Sequence, residues 1–210
     1  MSSYFDTRYS FDKGRTKVWK AIACYLQKYV PENGEVLELG CGYADFINSI
    51  RAQVKYATDI NYKSGEYCSS GVRFFQCDLT MDFGIGDKKF DVIFASNLLE
   101  HFSDEQLKCI MENVEKHLKN GGKLILLQPN YKYCYKDYFD DFTHIKVFSH
   151  TSLSDFLIFY GYHILKCIPR FLPFSFKSRA PKSYLLTKIY INLPLRPMAK
   201  QMLVIAEKHE

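Results

Sequence analysis

Residues 36–46, Val-Leu-Glu-Leu-Gly-Cys-Gly-Tyr-Ala-Asp-Phe, constrain this chain more than any other stretch. A short apolar run enters a Gly-x-Gly turn and leaves it as a helix, the form of a buried strand ending at the edge of a parallel sheet. Gly40 and Gly42 carry no Cβ, so main-chain amides at the turn can approach a ligand closely, and the following helix adds its positive end. A pyrophosphate-binding loop carries a third glycine three residues beyond the second. Asp45 stands at that position here, and its carboxylate repels phosphate. The loop suits a nucleoside that lacks phosphates and bears an amino-acid tail, with Glu38 and Asp45 meeting ammonium or sulfonium charge.

The rest of the chain reads as strands and helices in alternation. Strand-length apolar runs lie at 36–39, 56–58, 72–76, 90–95, 123–128, 163–168 and 202–206. Residues 16–29 place Val18, Trp19, Ile22, Tyr25, Leu26 and Tyr29 at helical spacing, before a turn at Pro31 to Gly34. The clearest helix is predicted over 104–119: Ser103 is its N-cap, Gln106 closes a capping box, and Leu107, Ile110, Met111, Val114 and Leu118 form one stripe. Asn120-Gly121-Gly122 stops it, and 152–160 reads as a further helix ended by Gly161. Seven strands with helices between them predict one doubly wound α/β domain over residues 1–210.

Beyond these local readings, the blocks VLELGCGYADF, ATDIN, QCDL, FDVIFASNLLEHF and LKNGGKLILLQPN, in that order, resemble the class I S-adenosylmethionine-dependent methyltransferases from about Thr16 to Lys208. The resemblance implies a Rossmann-like, mostly parallel seven-stranded sheet with an antiparallel last strand, and S-adenosylmethionine as cofactor. It implies that Glu38, Gly40, Cys41 and Gly42 shape the methionine pocket, with Asn97 beside it. Asp59 would accept from both ribose hydroxyls, work that suits an acceptor-only carboxylate. Asp78 would take the adenine amino group, with Ile60 and Leu79 sandwiching the ring; Asp78 also reads as a turn cap.

Methyl transfer to a hydroxyl needs a base, and histidine titrates in the right range. His101 follows the fourth strand in Leu-Glu-His and His144 follows the fifth in Asp-Asp-Phe-Thr-His, both at the carboxyl edge of the sheet. His144 is the expected general base, oriented by Asp140 or Asp141, with His101 either catalytic or ordering its loop. Some metal-dependent members of the superfamily use an acid-x-x-Glu-His block plus a later histidine, equivalent here to Asn97, Glu100, His101 and His144. Asn97 replaces a charged ligand with a neutral one, so no metal is expected.

Charge is uneven along the chain. Residues 156–206 hold eight bases and no acid, although the net charge of the whole is only +5. Residues 170–200 add prolines and aromatics to those bases, with a short apolar helix over 183–191, and read as a substrate lid or an interfacial foot on an anionic membrane surface. DDFTH, the following FSHTSL and the FLPFSFKS tail resemble small bacterial methyltransferases of glycan and lipopolysaccharide assembly. That implies a small-molecule or lipid-linked glycan acceptor, O-methylated; the alternatives are an RNA or small-metabolite acceptor, or a catalytically silent cofactor-binding module, and with no recognised RNA module in the chain no nucleic-acid partner is expected. Residues 1–15, with Tyr4, Arg8, Tyr9 and Arg15, are expected to cover the cofactor. No secretion signal or spanning segment is read, and the seven cysteines form no CxxC pair. A cytoplasmic protein with reduced, mostly buried thiols is expected, peripheral at the inner face of the membrane if the foot engages it.

Overall fold

The computed structural model describes residues 12–173 and 182–209. Tyr4, Arg8 and Tyr9 of the expected cofactor cover, and Lys177 and Arg179 of the basic tail, lie outside the described residues. The strands are β1 (Glu35–Leu39), β2 (Val54–Asp59), β3 (Val72–Gln76), β4 (Phe90–Ser96), β5 (Leu118–Pro129), β6 (Tyr162–Leu172) and β7 (Gln201–Lys208). They form one sheet in the order β3-β2-β1-β4-β5-β7-β6, and β7 runs antiparallel to both of its neighbours. This is the Rossmann-like arrangement that the apolar runs and the resemblance lead to. The chain order reverses beside β1, so β1 and β4 leave a crevice between their carboxyl ends.

Alternation along the strands divides the core between two faces. Leu37, Leu39, Ile93, Ala95, Leu124 and Leu126 point to one face, where they meet α3 (Asp104–His117) and α5 (His150–Phe159). Val36, Val92, Phe94, Ile125 and Leu127 point to the other, under α1 (Lys13–Leu26) and α2 (Asp45–Ser49). Phe94 anchors that second layer: Phe46 stacks on it at 3.7 Å between centroids, and Trp19 meets it edge-on at 6.1 Å. Each such ring contributes about 1.5–3 kcal/mol by leaving water. A short α4 (Tyr131–Cys134), absent from the sequence pattern, follows β5. The helix expected over 183–191 is α6 (Tyr184–Asn192), which packs on α1 and buries Ile191.

Local chemistry explains the helix ends. Ser103 accepts from the amide of Gln106, whose side chain accepts from the amide of Ser103, and Ser149 forms the same reciprocal pair with Ser152. The second box starts α5 at His150, ahead of the expected residue 152. At the other end of α3 the helix stops at His117 rather than at residue 119, because Leu118 pairs with Phe90. The next pair is Val92 with Lys123, so the Asn120-Gly121-Gly122 turn bulges out of the strand, with Gly121 at φ +68°. Residues 27–29 form a 3-10 turn rather than the last turn of α1.

Candidate functional site

The β1 turn is held from below by the end of β2. Gly40, Gly42 and Ala44 all take left-handed φ angles, +62°, +52° and +54°. The left-handed φ favours glycine at position 40, and a Cβ there would lie 2.7 Å from Cδ1 of Leu98, whose side chain would have to shift. The amide of Gly42 donates to Oδ2 of Asp59 at 2.8 Å, and the amide of Asn61 to Oδ1 at 2.9 Å. Burial pushes the Asp59 carboxyl upward, and these amides oppose the shift. A carboxylate offers about four lone-pair sites, so Asp59 keeps acceptor capacity beyond the turn it fastens.

The two acids expected to meet the charged tail of a ligand have protein partners. Glu38 is buried and accepts from the amide of Ile47 at 3.0 Å; burial drives its carboxyl well above the ordinary range, toward the neutral form. Asp45 is paired with Arg15 at 2.8 Å and accepts from Thr16 at 3.2 Å. Arg15 thus belongs to the base of α2 as well as to the segment expected to cover the cofactor. Beyond β2, Ile60 is 65% exposed, whereas Leu79 is buried in the core, so of the two only Ile60 presents an open apolar face. Asp78 is exposed, and its Oδ1 caps the amide and hydroxyl of Thr80 at 2.9 and 2.7 Å, the turn-capping alternative.

Across the crevice, Asn97 ends β4 in a left-handed conformation, φ +48°, and turns the chain into a single helical turn at Leu99–His101. Its Oδ1 accepts from Gln201 at 2.6 Å, and Gln128 accepts from the amide of Leu98 at 3.3 Å. Both glutamines are buried beneath the site. Neither is legible in the sequence pattern, because Gln128 is brought there by the pairing of β5 with β4 and Gln201 by that of β7 with β5.

The expected catalytic residues converge. The carbonyl of Glu100 accepts from the amides of Ile145 and Lys146 at 2.9 and 3.0 Å, which draws the loop after α4 against the end of β4. His101 and His144 thereby meet with ring centroids 4.9 Å apart. Ligand atoms of Glu100, His101 and His144 all lie within 4.8 Å of one another. His144 is buried, and its Nδ1 donates to the carbonyl of Tyr138 at 2.6 Å, so a main-chain oxygen holds this nitrogen where a carboxylate was expected. That hydrogen bond leaves the lone pair on Nε2. The Asp141 carboxylate instead caps Thr143, at 3.1 Å to its amide and 2.7 Å to its hydroxyl. The Thr143 hydroxyl meets Nδ1 of His101 at 2.9 Å, so Asp141 reaches His101 through Thr143. Asp140 is exposed on the preceding turn.

Electrostatics favour the neutral imidazole of His101. Burial lowers the pKa of His101, and His144 beside it lowers it further. Glu100 is buried with neither carboxylate oxygen hydrogen-bonded among the described residues, and burial pushes it up to about 8, with Asp141 adding to the rise. All seven cysteines are free thiols; only Cys41, Cys77 and Cys134 are buried, fewer than expected. No helix of the described residues is long and apolar enough to cross a membrane.

A family described as "Methyltransferase domain" matches residues 11–166. No protein of curated function matches the sequence. Among solved structures, the fold is similar to an S-adenosylmethionine-dependent methyltransferase from Archaeoglobus fulgidus, with TM-score 0.65, 19% identity, and 90% of this chain and 94% of that one covered. It is similar to a putative methyltransferase solved with the Trm112 methyltransferase activator of Haloferax volcanii, at TM-score 0.68, 13% identity and coverage of 94% and 95%. It is also similar to the N-methyltransferase NodS of Bradyrhizobium japonicum bound to S-adenosyl-l-homocysteine, at TM-score 0.66, 15% identity and coverage of 100% and 94%.

Proposed function

Because the chain belongs to the methyltransferase-domain family, with S-adenosylmethionine as its cofactor, we propose that it methylates a hydroxyl oxygen of a sugar or sugar phosphate in glycan assembly. The mouth bounded by Gly40, Asp59 and Asp78 fits the cofactor by its donor and acceptor chemistry. Asp59 and Asp78 are acceptors for ribose hydroxyls and an exocyclic amino group, Ile60 offers an apolar face to the ring, and Leu79 backs it from the core. The turn from Glu38 through Gly42 takes the methionine end, flanked by Asn97. When bound, the cofactor supplies a methyl group on a positively charged sulfur.

The chain must then align the acceptor and remove its proton. In this reading Nε2 of His144 takes the proton, and His101, held through Thr143 by Asp141, supports it. The observation that carries the reading is the meeting of two imidazoles at the carboxyl edge, each with Nδ1 engaged by the protein. Tyr135, Phe139 and Phe142, all more than half exposed on the same loop, supply flat apolar faces for the carbon-bound hydrogens of a sugar ring. A screen of nucleotide sugars, lipid-linked sugars, RNA and amines with methyl-labelled cofactor tests it. Label is expected in a sugar methyl ether; transfer confined to nitrogen or to RNA would overturn the oxygen and sugar assignments.

A second reading is supported by Glu100. Its fully buried, unpartnered carboxylate beside two histidines resembles the ligand set of the metal-dependent members of the superfamily. Here Glu100, His101 and His144 would hold a divalent cation, whose charge lowers the pKa of an acceptor hydroxyl. Loss of turnover with chelator and its return with Mg²⁺ would select this reading over the base.

A further inference from the structure

We propose that the face formed by α1 and α6 docks on an anionic lipid bilayer. The first observation is exposed apolar surface. Leu185, Leu186, Ile189 and Leu193 fall on the side of α6 opposite Ile191, its only fully buried residue, and are 61, 50, 52 and 39% exposed. Leu195 and Met198, on the segment that returns to the sheet, are 82 and 75% exposed. Six aliphatic side chains within 14 residues face outward, a density that singly scattered surface residues do not reach.

The second observation is charge. Residues 13–31, which include α1, hold five bases and no acid, and residues 182–206, which include α6, hold four and none. The helices pack on each other, so two acid-free stretches distant in sequence share one face. Several of these bases are used within the protein: Arg15 pairs with Asp45, Lys182 with Asp12 and Lys200 with Asp137, and Arg196 donates to main-chain carbonyls. Lys17, Lys20, Lys28 and Lys188 are exposed and in no ion pair among the described residues. Lys17, Ala21 and Cys24 repeat at helical spacing along α1, and Ala21 and Cys24 line a shallow cleft with Lys28, on the turn that follows, and Lys188.

Aliphatic side chains flanked by unpaired lysines match a headgroup layer, where the apolar stripe enters the acyl boundary and the ammonium groups meet anionic headgroups. A nucleic-acid face offers bare aromatic platforms to stacking bases, whereas the tyrosines here, Tyr25, Tyr29 and Tyr184, lie under Lys28 and Lys188 of the protein itself. The surface also adjoins the mouth: Lys182 pairs with Asp12, next to Arg15, which holds Asp45 at the glycine turn. Docking there sets the mouth at the membrane surface. The inference does not depend on which atom is methylated.

Vesicle flotation of the full chain tests it, comparing phosphatidylcholine alone with phosphatidylcholine containing phosphatidylglycerol. Binding is expected to the second and not the first, and to fall as salt rises. The triple variant Leu186→Ser, Ile189→Ser, Leu195→Ser, and separately Lys17→Glu with Lys188→Glu, should each weaken binding by about tenfold or more. Both sets are exposed side chains that make no ion pair or hydrogen bond to the glycine turn among the described residues, so thermal unfolding and cofactor affinity should stay as in the parent. No flotation with either vesicle, or flotation that the variants leave unchanged, would overturn the proposal. So would a dimer in light scattering that the aliphatic variant dissociates, which assigns the face to a second copy, or salt-sensitive RNA binding that the lysine variant abolishes.

Discussion

Glu38 places a carboxyl in the core at the end of β1 and ties that strand to α2 through the amide of Ile47. Its folded pKa is raised, so the native state holds a proton that the unfolded chain releases near the ordinary glutamate value. Stability therefore falls as pH rises from that value through the raised one. Glu38→Gln keeps the acceptor and removes the titration. Urea midpoints measured from about pH 5 to 8 should decline more steeply in the parent than in the variant, and parallel curves would show that Glu38 is not the group responsible. At the mouth, Asp59→Ala removes a charged acceptor and should weaken cofactor binding by about 1–3 kcal/mol in calorimetry. His144→Ala should slow turnover by about 10²–10⁴-fold with cofactor affinity retained; a loss below tenfold, or one matched by unfolding, would remove the base role.

The turns and caps are where elements acquire their ends. Gly40→Ala forces a side chain into a left-handed turn and against Leu98, so it should lower both stability, by about 1 kcal/mol or more, and cofactor affinity. Gly71→Ala, with nothing within 4 Å of the added carbon, is the control and should be neutral or slightly stabilising in the same thermal unfolding experiment. Ser149→Ala removes one half of a capping box and should cost about 1 kcal/mol. The sequence made these elements readable where the determining chemistry is local. The box at Ser103, the turn at Gly40 and the alternating cores of β4 and β5 follow from neighbours along the chain. The start of β5 at Leu118 is set instead by its pairing with Phe90, and the support of Asn97 by Gln201 depends on a strand more than 100 residues away. His144 shows the same limit within the site. Its presence was legible, but the partner of its Nδ1 is a main-chain carbonyl, which no residue type announces.

At the scale of the whole molecule, the sheet order brings the glycine turn, the acidic end of β2 and the Glu100, His101 and His144 group to one carboxyl edge. Cofactor and acceptor would then share a crevice whose walls are fixed by strand pairing, while α1 and α6 pack together over the sheet face of Val36 and Phe94. The fold alone leaves the acceptor open, because fold and cofactor chemistry are shared across many substrates. The central claim is that this edge binds S-adenosylmethionine through the turn at Gly40 and the carboxylate of Asp59. Isothermal titration of the folded protein with S-adenosyl-l-homocysteine tests it most directly. One saturable site per chain, weakened by Asp59→Ala in a variant that is less stable, through loss of its bonds to Gly42 and Asn61, but still folded at the temperature of titration, is the predicted result; no heat of binding to protein shown to be folded, or equal affinity in the variant, would contradict it.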